Sequence, residues 1–122
     1  MPVLRILPTA DDRRKVLLEL LNWTSPLREV FAQVALFAWD HETTLVLVER
    51  HHLRNALTRY VEGSAISEEM EQWAEALESR DDVGFEDGVA ELARELLWKL
   101  ANPALEGPRS KQVAQGMLDR LG

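Results

Sequence analysis

Cysteine is absent from the 122-residue sequence, which excludes a disulfide framework and a thiolate nucleophile or metal ligand. Long apolar runs are absent too, since none approaches the roughly 20 residues that a membrane-spanning helix needs. The first residues lack the basic start, apolar centre and small-residue cleavage site of a secretory signal. The sequence therefore predicts a cytoplasmic protein with no membrane partner.

Positive charge is scarce, because 14 Lys and Arg stand against 21 Asp and Glu, for a net charge of -7. Such a chain is not expected to bind nucleic acid, which proteins contact through basic surfaces. The charge favours a basic protein partner, or it serves solubility alone. With 46% hydrophobic residues the chain has enough apolar content for one core, so we predict a single domain over residues 1–122.

The acidic residues concentrate between Glu62 and Glu95, a stretch that holds twelve acidic and two basic residues for a net charge of -10. Apolar residues recur through this stretch at the spacing of a helix. We therefore predict two helices here, each with an acidic outer side and an apolar inner side, joined by a turn over residues 80–88.

Helix caps and breakers divide the rest of the chain into short helical segments. The caps are Thr9, Ser25 before Pro26, Ser67 and Ser110, and the breaks are Gly63, Asn102-Pro103 and Gly107-Pro108. They predict an all-α, single-domain bundle of about six helices. Residues 26–38 are apolar around most of a helical circumference, so we expect them to form the central core helix.

One run, Thr43–Val48, is rich in the branched residues that favour a strand. The sequence shows no partner strand for it. We therefore predict an extended connector or the first turn of the following helix, with one short extended segment near residues 44–48.

A row of carboxylates follows one face of the first acidic helix and continues into the turn. The candidate partner-binding residues are Glu68, Glu71, Glu75, Glu78, Asp81, Asp82 and Trp98. A dense row of carboxylates can imitate a phosphate backbone and occupy the cationic site of a basic protein. The alternative is a solvated helix surface that only maintains solubility. Like charges one turn apart cost a few tenths of a kcal/mol, which favours the partner surface.

The turn and the tryptophans complete this prediction. Arg80 and Asp82 are also suited to tying together the turn between the two helices. Trp98 lies opposite the apolar stripe of its helix, so it is either an interface anchor, a role in which tryptophan is common, or covered by another segment. The other tryptophans are expected in the core or at its edge: Trp23, Trp39 and Trp73.

Catalytic signatures are missing: the sequence has no glycine-rich phosphate loop, no Ser/His/Asp order and no nucleophile elbow. Glu49 and His52 form a Glu-x-x-His, a spacing used in di-metal helical bundles, but such sites need a second copy. We expect His51 and His52 near solvent in the first turns of a helix. The prediction is therefore a non-enzymatic protein with no metal and no cofactor, and a metal enzyme using Glu49 and His52 is the least favoured alternative.

Residues 47–121 resemble a group of small bacterial proteins. The shared segments are Tyr60-Val61-Glu62-Gly63, Ile66-Ser67, Trp73-Ala74, Glu78-Ser79-Arg80-Asp81-Asp82-Val83, Leu100-Ala101-Asn102-Pro103 and Glu106-Gly107-Pro108. The layout is similar to that of the small acidic all-helical immunity proteins made against colicin-type or contact-dependent toxins. The resemblance implies a basic, nuclease-like toxin domain as partner and assigns no residue a role. Left open are a helical accessory or regulatory subunit with a merely solvated acidic face, and a homodimer.

Overall fold

A computed structural model describes residues 9–102 and 110–122 of the chain. The helices of this part are α1 (Ala10–Asn22), α2 (Leu27–Val34), α3 (Arg50–Val61), α4 (Ser67–Glu78), α5 (Ala90–Ala101) and α6 (Lys111–Leu121), and the strands are β1 (Val46–Val48) and β2 (Val83–Phe85). The predicted all-α bundle of about six helices is confirmed. The predicted break at Gly107-Pro108 lies outside the described residues.

The first and the last of these helices, α1 and α6, begin at the predicted cap residues Thr9 and Ser110. Before α1, the Thr9 backbone N–H donates to the Asp12 carboxylate at 2.9 Å, and the Asp12 N–H donates to the Thr9 hydroxyl at 3.1 Å. Before α6, the Ser110 hydroxyl accepts from the Val113 N–H at 3.1 Å. These local bonds satisfy amide groups that have no partner within the helix.

The core forms where three helix pairs meet: α1 with α2, α3 with α6, and α4 with α5. Trp73 of α4 is fully buried, and its indole N–H donates to the Leu20 carbonyl at 2.8 Å. Its ring stacks on that of buried Trp23, with 5.9 Å between the centroids. The prediction of Trp23 and Trp73 as core residues is confirmed.

A parallel pair of short strands joins two distant parts of the chain. Val46 lies opposite Val83 and Val48 opposite Phe85. The short extended segment expected near residues 44–48 is thus confirmed, but the inference that it has no partner strand is wrong. Its partner lies within the segment predicted as a plain turn, where three residues are too few to show an alternating pattern.

The prediction that residues 26–38 form the central core helix is wrong. Helix α2 ends at Val34 and buries one stripe, which consists of Leu27, Val30 and Val34. Beyond that end, Leu36 is 69% exposed and Trp39 is 61% exposed, so Trp39 is not a core residue. The apolar residues of this segment would surround a helix only if that helix continued to residue 38. It ends at Val34, so they do not.

Across residues 9–102 and 110–122, none of the helices combines the length and the apolar character that a membrane span requires.

Candidate partner-binding surface

Helix α4 presents its carboxylates to solvent because the opposite stripe, which contains Met70, Trp73 and Leu77, is buried in the core. On this side of the helix, the exposed residues are Glu68, Glu75 and Glu78, and Glu71 is half-buried. Asp81, in the turn after α4, is exposed as well. Within the described ranges, none of these five residues has an ion-pair partner. We call them the acidic face.

Asp82 does not belong to this surface, and its prediction as a partner-binding residue is wrong. The residue is fully buried, and its carboxylate accepts from the Arg80 Nε and Nη2 atoms at 2.9 and 3.0 Å. Arg13 of α1 donates to the same carboxylate at 2.7 Å. The suggestion that Arg80 and Asp82 tie the turn together is confirmed.

The protonation of Asp82 follows from this pairing. Burial by itself raises the pKa of a carboxyl group, because the charged form loses water. The hydrogen bonds from Arg80 and Arg13, together with their positive charges, outweigh burial and hold the pKa of Asp82 below its usual value. Asp82 is therefore an ionised, internally neutralised group with no free charge to offer a partner.

Trp98 and Glu78 meet at one groove, although they are twenty residues apart in the sequence. The groove is lined by Glu78, Phe85, Arg94, Glu95, Leu97 and Trp98. Trp98 is 42% exposed, so none of the described segments covers it completely. Partial burial, and then the neighbouring Glu75 carboxylate, raise the pKa of Glu78. A carboxylate that has no ion-pair partner within the described ranges thus lies beside an accessible indole.

The other charged groups at this groove already have partners. Glu95 accepts from Arg120 at 2.6 and 3.1 Å, and the Lys99 ammonium lies 3.1 Å from the same carboxylate. Hydrogen bonds from these two cations lower the pKa of Glu95 to about 2. The Arg94 guanidinium stacks over the Phe85 ring at 4.6 Å from its centroid. Among the lining carboxylates, Glu78 is the one that remains available.

The Glu49-x-x-His52 pair forms a helix start instead of a ligand pair. The Glu49 backbone N–H donates to His52 Nδ1 at 2.9 Å, so the ring carries its proton on Nε2. His51 is exposed as expected, but His52 is buried, so its prediction near solvent is wrong. Burial, and then the adjacent His51, lower the pKa of His52 to about 4. In the described part of the chain, no group of three or more His, Asp and Glu residues could hold a metal ion.

Sequence reasoning missed one exposed aromatic residue near the acidic face. Trp39 lies in the loop between α2 and β1, and its carbonyl accepts from the Asp81 backbone N–H at 3.0 Å. The signal that could have found it is its sequence neighbourhood: Asp40 and Glu42 follow within three residues, and charged neighbours argue against a core position.

Comparison with protein-family models found no family that matches the chain, and comparisons with curated proteins and with solved structures found no match either.

Proposed function

We propose that this protein is a non-enzymatic, cytoplasmic binding protein of immunity or antitoxin type that occludes a basic, nuclease-like toxin domain. The observation that supports the proposal is the clustering of carboxylates on the acidic face. What sets this face apart is that its carboxylates lie close together on one helix and the turn after it, at Glu68, Glu71, Glu75, Glu78 and Asp81. None of these five carboxylates has an ion-pair partner within residues 9–102 and 110–122, so together they form a charged surface open to a basic partner.

The mechanism of inhibition is occlusion of a cationic site. A row of carboxylates attracts a basic protein over several ångströms and speeds its association, and the effect weakens as salt screens the charges. Trp98 lies beside Glu78 at one edge of this row and supplies apolar contact area. Tryptophan at the centre of a desolvated contact commonly contributes more than a surface charge pair does.

The first test reverses charge on the acidic face. The double variant Glu71→Lys with Glu75→Lys should weaken binding of the natural partner by at least about tenfold at low salt, since close like charges replace attraction by repulsion. The partner is recovered from the protein's own organism by native pull-down at low and at high salt and identified by mass spectrometry. Its affinity for the wild-type protein and the variants is then measured with purified proteins.

The control carries the same change in net charge at another place. Glu62→Lys with Asp119→Lys reverses two exposed carboxylates outside the acidic face, at the end of α3 and in α6. Its binding should fall far less than that of the double variant in α4. If both double variants bind alike, or if a recovered partner is neither basic nor released by salt, the inhibitor proposal is wrong. A helical accessory or regulatory subunit with a solvated acidic face then becomes the better interpretation.

A further inference from the structure

The loop between α2 and β1 exposes two large apolar side chains that are close in sequence. Leu36 is 69% exposed and Trp39 is 61% exposed. Trp39 is more exposed than Trp98, which is at 42%. Exposing an indole to water has a cost on the order of 25 cal/mol for each Å² of apolar surface. Large apolar side chains that are exposed close together, as Leu36 and Trp39 are, are typical of a surface that contacts another molecule.

The backbone that carries Trp39 is fixed from within the protein. The carbonyl of Ala38, the preceding residue, accepts from Arg13 Nη1 at 3.1 Å and from Arg80 Nη2 at 2.8 Å. The carbonyl of Trp39 accepts from the Asp81 N–H at 3.0 Å. Both arginines are in turn held by buried Asp82. The loop is thus preorganised, which reduces the conformational entropy that a partner would have to remove on binding.

The backbone of Trp39 is joined to the acidic face, and two exposed aspartates adjoin it: Asp40 along the chain and Asp81 across a backbone hydrogen bond. Its backbone bond runs to Asp81, a member of that face, and Asp40 follows it in sequence. The two guanidinium groups that bind the preceding carbonyl, those of Arg13 and Arg80, are turned inward to Asp82. Exposed Leu36 and Trp39 together with exposed Asp40 and Asp81 are complementary to a segment that is apolar and basic.

We propose that Trp39, together with Leu36, is an apolar anchor of the acidic face that binds a basic partner segment in which aliphatic side chains alternate with arginine or lysine. The aliphatic side chains pack on the indole and the cationic ones meet Asp81 and Asp40. A second copy of this chain fits less well, because a two-fold contact at Trp39 would bring these carboxylates against their own counterparts. The inference rests on the proposed function and names the chemistry of its partner.

The test uses two labelled peptides of equal length and charge. One contains only arginine and glycine, and in the other leucine replaces several of the glycines. Wild-type protein at low salt should bind the leucine-containing peptide about tenfold more tightly, a difference typical of one apolar anchor. Trp39→Ala should lose this preference and keep the salt-sensitive binding of the arginine–glycine peptide. Val113→Ala, which truncates an exposed apolar side chain on α6, should keep the preference.

A direct readout is the indole N–H signal of Trp39 in a nitrogen-15 correlation spectrum, assigned by its absence from the Trp39→Ala variant. This signal should shift with the leucine-containing peptide and change little with the other. If Trp39→Ala retains the full preference, the anchor proposal is wrong while the acidic face is unaffected. If neither peptide binds the wild-type protein, the proposed function is wrong as well. If the wild type sediments as a dimer that Trp39→Ala converts to a monomer, a second copy occupies this surface, and the proposal is overturned.

Discussion

At the scale of single residues, environment decides what an acidic side chain does here. Asp81 and Asp82 are neighbours in sequence, yet the first is exposed and the second is fully buried between Arg80 and Arg13. Residue type is the same in both cases. The tertiary contacts assign one to the surface and the other to the internal support of the Trp39 loop.

Asp82→Asn should lower the free energy of unfolding by roughly 3 kcal/mol, because it leaves Arg80 and Arg13 partly buried without a counter-charge. The measurement is the midpoint of urea unfolding. Asp81→Asn, the exposed neighbour, should stay within about 0.5 kcal/mol of the wild type. Equal midpoints for the two variants would show that the buried network contributes nothing to stability.

His52 should make the protein less stable in mild acid. Its folded-state pKa of about 4 lies below the usual 6.5, so the unfolded chain takes up a proton first as the pH falls. The contribution of His52 is fully present above pH 6.5 and is lost as the pH falls to about 4, by roughly 3 kcal/mol. Unfolding free energies measured between pH 7 and 4 give this slope.

The matched variants for this prediction differ in which histidine they remove. His52→Asn keeps an acceptor for the Glu49 N–H and cannot titrate, so it should flatten the slope even though it lowers stability at pH 7. His41→Asn removes a partly exposed histidine from the loop before β1 and should leave the slope unchanged. An unchanged slope in His52→Asn would assign the acid sensitivity to other groups.

At the scale of elements, the strand pair fixes how the acidic turn is attached. β1 follows the Trp39 loop and β2 follows Asp82, so their pairing holds both segments at the same edge of the bundle. Gly84, in β2, lies close to the other strand. A Cβ atom there would be 2.9 Å from the Thr44 methyl and 3.1 Å from a methyl of Leu47. The close approach of the strands explains the glycine at this position.

Gly84→Ala should lower the free energy of unfolding by about 1 to 2 kcal/mol, since the added methyl forces the side chains of Thr44, just before β1, and of Leu47, in β1, to shift. Adding Thr44→Ser, which removes the closest methyl, should recover part of the loss. Gly116→Ala is the control: its Cβ would meet nothing within 4 Å in α6, so it should be neutral or stabilising. Thermal unfolding of the four proteins checks these expectations, and a neutral Gly84→Ala would contradict them.

At the scale of the whole molecule, local patterns predicted the helices and long-range contacts decided the rest. The Thr9 and Ser110 caps and the apolar stripe of α4 depend on residues within a few positions, so they were predictable from spacing. The strand pair places Val46 opposite Val83, which is 37 positions away in the sequence. A contact between such distant residues leaves no pattern in the sequence around either of them. The same holds for Trp98 and Glu78, which meet only because α4 packs on α5.

The sequence by itself determined the all-α class, the net charge of -7 and the outward row of carboxylates on α4, because periodicity and composition are local properties. Only the tertiary structure decided that Asp82 is internal and that Trp39 and Trp98 are exposed near that row. Whether a side chain is buried depends on which segments fold over it. Packing between distant parts of the chain decides the burial of a side chain, and a short stretch of sequence does not carry this information.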